Sequence, residues 1–205
     1  MGRARAGRAG QDRGGAPLRR GYARACEEIL LSGGQWREAY GRYALATDRH
    51  GTYQATFQAL AAKYPQIEPK AILADLVAAT PGDAGKWFAA AKSAGLLAEA
   101  SELARINPCD PKTLTRAARD FAESKPEFAR SVGLAALQWI LRGHGYDLTL
   151  LHVADALSHT LEAARHHGTE AETVHTIKLL IDQHPAANHT VVALLRRRLD
   201  DLTKM

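Results

Sequence analysis

The densest set of side chains able to do chemistry is His152, Asp155, His159, Glu162 and His166. Their spacing of i, i+3, i+7, i+10 and i+14 places them along one face of a helix. Asp155/His159 and Glu162/His166 stand four residues apart, the separation at which two side chains can share a metal ion. His152 and His159, however, lie about 10.5 Å apart at roughly 1.5 Å per residue, so one ion cannot bridge the stripe. The expected arrangement is a polar face turned to solvent or to a partner, opposite a buried side made by Leu150, Ala154, Leu157, Leu161 and Ala164. A metal-binding or pH-responsive site on that face is the alternative. His166 and His167 close the helix ahead of Gly168, where a cation suits the helix dipole. His175, His184 and His189 share no useful spacing.

Other candidates are weaker. Gly82-Asp83-Ala84-Gly85-Lys86 has the flavour of a phosphate-binding loop, but it lacks the glycine spacing. Trp87 stands where the hydroxyl belongs, and no strand precedes it. Asp110, Lys112, Thr113, Arg116, Arg119 and Asp120 crowd charge onto one helix. They read either as a solvated face with pairs such as Arg116–Asp120, or as the polar rim of a groove. Arg196-Arg197-Arg198 sits beside Asp200 and Asp201, which dilute it as a nucleic-acid patch. Its helix turns Val191, Val192, Leu194, Leu195, Leu199 and Leu202 inward, as a capping helix would. No residue is assigned as catalytic, cofactor-binding or metal-ligating, and no cofactor is expected.

The net charge of +5 over 205 residues suggests a polyanion partner until it is located. Residues 1–24 hold Arg3, Arg5, Arg8, Arg13, Arg19, Arg20 and Arg24 against Asp12 alone. That segment carries +6, which leaves −1 for the rest of the chain. The basic character therefore belongs to a tail. Residues 1–20 are Gly/Arg/Ala-rich, too poor in apolar groups to offset their ordering entropy, and are expected to be disordered. Residues 21–205 are expected to form one helical domain. Cys26 and Cys109 fit no disulfide framework or zinc knuckle, which suits a reducing compartment, the cytoplasm. No run reaches the roughly 18–20 apolar residues needed to span a bilayer, and no apolar leader follows Arg19-Arg20.

From Tyr22 onward the apolar period is helical, with no alternation of period two. It predicts an all-α chain with eleven helices, over 22–32, 35–47, 52–64, 69–79, 83–94, 96–105, 111–123, 126–142, 149–167, 170–183 and 188–203. Gly33-Gly34, Pro65, Thr80-Pro81-Gly82 and Asn107-Pro108 punctuate them. Asp110 reads as an N-cap with Pro111 at the first helical position, and Asp147 or Thr149 as the cap of the ninth helix. Short turns favour antiparallel neighbours. Ala39, Ala44, Ala90, Ala100, Ala104, Ala118, Ala129 and Ala136 read as contact points where helices approach closely. Large residues such as Trp36, Trp87, Phe128 and Trp139 would fill the grooves beside them.

Three stretches resemble the tetratricopeptide pattern of paired helices with small and aromatic residues at fixed offsets. They are the run from Gly34 to Leu45; the run from Trp87 through Gly95 and Ala100 to Pro108; and Ala118, Phe121, Phe128, Ala129, Gly133 and Ala136. Ala39 to Ala100 and Ala100 to Ala129 span 61 and 29 residues, so no steady period holds. The runs Thr52–Phe57, Lys63–Pro65, Ile72–Leu76, Thr80–Lys92 and Pro108–Phe121 are similar to a bacterial all-α family designated a domain of unknown function. That resemblance covers about residues 22–180. It implies a cytoplasmic helical-repeat protein and no activity. The expected fold is an irregular helical-hairpin solenoid. The expected role is a non-enzymatic scaffold for a protein or peptide partner. A nucleic-acid accessory role using the basic tail is the alternative.

Overall fold

The computed structural model describes residues 15–47 and 51–203, which form eleven helices and no strand. They are α1 (Gly15–Ser32), α2 (36–47), α3 (Tyr53–Lys63), α4 (Pro69–Ala78), α5 (81–93) and α6 (Leu97–Ile106), then α7 (Pro111–Phe121), α8 (Pro126–Leu141), α9 (Leu150–His167), α10 (Glu170–Asp182) and α11 (His189–Thr203). The all-α expectation holds, and the ends of α2 to α11 fall within two residues of those the periodicity sets. α1 differs: it already includes residues 15–20, which the sequence places in the tail. The rest of that tail, residues 1–14, lies outside the described residues. Among the described residues no helix is long and apolar enough to cross a membrane.

Local chemistry sets the helix ends. Asp110 accepts the Thr113 N–H at 3.0 Å and Thr52 accepts that of Ala55 at 3.1 Å, each satisfying one orphan donor of a first turn. Pro69, Pro81, Pro111 and Pro126 open their helices, where a missing N–H costs nothing. Thr149 caps α9, and its own N–H is taken up by His152 Nδ1 at 3.1 Å. Two helices change pitch. α2 contains a π-helical segment over Tyr40–Ala44, and Tyr40 on it reaches across to donate to Asp75 of α4 at 2.7 Å. α5 starts as a tight 3₁₀-helix over Pro81–Trp87 before widening into an α-helix.

The small residues lie at the helix contacts: all eight of the alanines named above are buried. Two glycines allow still closer approach. A side chain at Gly85 would run into the Pro108 carbonyl, and one at Gly133 of α8 into the Thr160 hydroxyl of α9. The apolar interior has two main parts. One spans α2 to α8 and includes Phe57, Leu60, Ile72, Phe88 and Leu114. The other spans α8 to α11 and includes Leu157, Leu161, Ile177, Ile181 and Leu195. α8 contributes Phe128, Val132 and Trp139 to the first and Leu137, Ile140 and Leu141 to the second.

α9 is rotated relative to expectation. Leu150 is 44% exposed, and Ala154 is only half-buried. The buried arc is Val153, Ala156, Leu157, Thr160, Leu161, Ala163 and Ala164. The cause is the number of neighbours. α9 packs on α7, α8, α10 and α11, so its buried face is wider than a single stripe, and close approach at Gly133 turns Thr160 inward. That hydroxyl bonds its own helix at the Ala156 carbonyl, which makes its burial cheap.

Candidate functional site

The α9 stripe does not converge on a ligand. His152 is engaged at the helix N-terminus, His159 Nδ1 lies 3.3 Å from Glu162 Oε2, and His166 is exposed in the last turn. Among the described residues no group of three His, Cys, Asp or Glu side chains could hold a metal ion. The stripe is a half-exposed polar edge, and its final residues Arg165, His166 and His167 face the negative end of the helix dipole before the left-handed Gly168.

The charged face of α7 pairs differently from expectation. Asp120 takes the adjacent Arg119, at 2.8 and 3.0 Å, and not Arg116. Arg116 bonds the Lys112 carbonyl and the Thr113 hydroxyl of its own helix instead. The basic triplet of α11 is exposed, with Arg196 on Asp182 at 3.2 Å and Leu195 and Leu199 buried beneath it. The Arg-rich arm offered as a polyanion contact lies, through Arg13, outside the described residues.

The 82–86 segment forms the middle of a 3₁₀-helix beside a cavity of about 240 Å³. Tyr53 donates to Asp83 at 2.6 Å, and Lys86 meets Asp83 at 2.8 Å. Bonding to Lys86 and then to Tyr53 holds the Asp83 carboxyl below its usual range. The same contacts with Asp83 raise Tyr53 and Lys86. Each group is thereby fixed in the charge state that maintains the cluster. A wider hollow of about 540 Å³ lies among the starts of α6 and α8 and the end of α9. Its rim mixes Lys125, Glu127 and His167 and so favours no single charge.

A strongly apolar groove runs between α4 and α6, with a volume of about 390 Å³. Leu73, Ala74 and Val77 line it from α4; Ala98, Leu103 and Ile106 from α6. Ile106, one of the residues lining it, is 54% exposed. Lys70 of α4 closes one edge on Glu99 of α6 at 2.6 Å, and Glu102 pairs with Arg105 at 2.6 Å. Bonding to Lys70 lowers the Glu99 carboxyl, and bonding to Arg105 lowers that of Glu102. The charges at the rim are therefore already matched. Sequence reasoning missed this groove. Its signal is the apolar pair Val77 and Ile106, which extends the core edges at Ile72/Leu73/Leu76 and Ala100/Leu103/Ala104 outward.

Both cysteines are free thiols. Burial, with Asp110 nearby, pushes the Cys109 thiol up to about 12, and it donates to the Gly85 carbonyl at 3.3 Å. Thiolate is the reactive form, so native protein treated with iodoacetamide near pH 9 should gain one adduct, on the half-buried Cys26. Both thiols should react in guanidinium. Intact-mass spectrometry reads this directly, and a native Cys109 adduct would contradict it.

No protein-family model, curated protein or solved structure matches the chain.

Proposed function

We propose that the chain is a non-enzymatic helical-repeat scaffold of the tetratricopeptide-like kind, whose α4–α6 groove receives an amphipathic helical segment of a partner protein. The observation that carries this reading is the groove itself. It presents aliphatic side chains from two helices within a volume typical of binding pockets. A helix docks in such a groove through anchors at i, i+3 or i+4, and i+7. The rim ions are paired among themselves, so the fitting segment is aliphatic on the docking side and carries no net charge there. The two free thiols support a reducing, cytoplasmic setting.

The test places a photo-crosslinking residue next to the groove and identifies the crosslinked peptide by mass spectrometry. The expected peptide is an amphipathic helix with aliphatic anchors at that spacing. Ile106→Asp should reduce its capture at least about tenfold, as loss of a central anchor does. Because Ile106 is more than half exposed, thermal unfolding should change little. Equal capture by Ile106→Asp, or crosslinks only to peptides without that pattern, would remove the groove from consideration.

A further inference from the structure

The cavity beside the 3₁₀ turn of α5 is walled by four helices. Leu45 comes from α2, Tyr53 from α3, Leu76 from α4, and Asp83 and Trp87 from α5. Its volume of about 240 Å³ is that of roughly eight water molecules at about 30 Å³ each. Leu76 and Trp87 are almost fully buried, and Tyr53 meets Trp87 edge-on with ring centroids 4.8 Å apart. The walls are thus mainly apolar and aromatic. Their hydroxyls are already committed. Thr52 accepts the Ala55 N–H, and Tyr53 donates to Asp83. Thr80 accepts the Trp87 indole N–H at 2.7 Å while donating to the Leu76 carbonyl. Thr56 is engaged as well. Asp83 is different. Lys86 occupies one of its oxygens and Tyr53 the other, and each carboxylate oxygen has a second lone pair to offer. Among the described residues no cationic side chain lines the cavity.

We propose that this cavity binds a small organic cation, a primary amine with a short apolar body, whose ammonium takes over the Asp83 carboxylate from Lys86. Three observations select that chemistry. First, among the described residues the charge on the lining is negative, so a cation finds a partner there and an anion does not. Second, Tyr53 and Asp83 together already receive an ammonium. Lys86 Nζ lies 2.8 Å from the Asp83 carboxylate and 5.7 Å from the centre of the Tyr53 ring. Third, Lys86 is easily displaced. Its side chain is 59% exposed and pairs with a residue three positions away, and such surface pairs contribute little. A ligand that also buries an apolar body against Leu45, Leu76 and Trp87 gains more than the exposed lysine loses. The site is separate from the α4–α6 groove: α4 gives Leu76 to the one and Leu73 and Val77 to the other.

The probe is phenethylamine, titrated into the full chain near neutral pH and followed through the Trp87 indole N–H in two-dimensional NMR. A titration to about 10 mM reaches the weak affinities expected of so small a ligand. The Trp87 signal should shift and saturate. Phenethyl alcohol, which has the same body without the charge, should bind at least about tenfold more weakly. Asp83→Asn should weaken amine binding by a similar factor. Lys86→Met should strengthen it by up to about fivefold, because the competing ammonium is gone. That gain is expected only of a ligand that shares Asp83 with Lys86, and a general loosening of the fold would not produce it. Because Lys86 is exposed, its variant should fold as the wild type does, whether or not Asp83→Asn does. No shift at Trp87 up to that concentration overturns the site. Equal binding of the alcohol overturns the recognition of a cation. Unchanged or weaker amine binding by Lys86→Met overturns the exchange on Asp83.

Discussion

Replacing Glu27 with alanine should cost about 3–5 kcal/mol of unfolding free energy, the range for removing one partner of a buried ionic cluster. Glu27 is fully buried on α1. Its carboxylate accepts the Tyr64 hydroxyl, the Thr47 hydroxyl at 2.8 Å and the Lys63 ammonium at 3.2 Å. These donors come from the end of α2 and the end of α3, so one side chain ties three helices together. Alanine removes the acceptor that all three share and leaves a void where the carboxylate stood. Glu27→Gln keeps the volume and an acceptor oxygen but loses the charge, so it should lie between alanine and wild type. Urea denaturation of the three proteins checks the order. Equal midpoints for Glu27→Ala and wild type would show that α1 contributes nothing to the cooperative unit.

Trp139→Ala should be comparably severe, at about 3–5 kcal/mol. Trp139 lies on α8, is almost fully buried, and donates its indole N–H to the Ala104 carbonyl of α6 at 2.7 Å. The His144 ring meets it edge-on with centroids 5.1 Å apart, and the Arg142 guanidinium covers it at 4.9 Å. Truncation opens a large cavity between α6 and α8 and removes the donor from a carbonyl near the end of α6. Trp139→Phe keeps most of the volume and loses the hydrogen bond, so its cost should be nearer 1 kcal/mol. Differential scanning calorimetry separates the two effects: alanine should lower the midpoint by about 10 °C and phenylalanine by a few degrees.

Both residues show where the sequence is legible. Trp139 sits in an unbroken helical period with Phe128, Val132 and Ala136, so its burial follows from spacing alone. The same holds for the eight contact alanines and for Asp110-Pro111 as a helix start. Glu27 is different. It stands next to Glu28, and only one of the two is buried, because Lys63 and Tyr64 lie some 36 residues further along the chain. Such a choice is made by tertiary neighbours, and no local pattern carries it. The rotation of α9 has the same origin: a stripe reads correctly against one neighbour, whereas this helix has four. The α4–α6 groove escaped notice because Leu73, Val77, Leu103 and Ile106 read as ordinary core positions. Leu73 and Leu103 are indeed buried, and only the separation of the two helices leaves Val77 half-buried and Ile106 exposed along the groove. The π-helical segment of α2 is likewise invisible in composition, since Tyr-Gly-Arg-Tyr-Ala has no breaker that announces it.

The position of α8 bears on how the molecule comes apart. Its side chains are divided between two interiors, Phe128 and Val132 in one and Leu137 and Leu141 in the other. Neither half can melt while its neighbour stays intact without stripping one side of the same helix. The backbone amides of α8 should therefore exchange with solvent only through whole-molecule opening. A chain assembled from successive helix pairs would otherwise be free to fray from either end. This shared helix should turn what sequence order suggests is a string of local units into a single all-or-none transition.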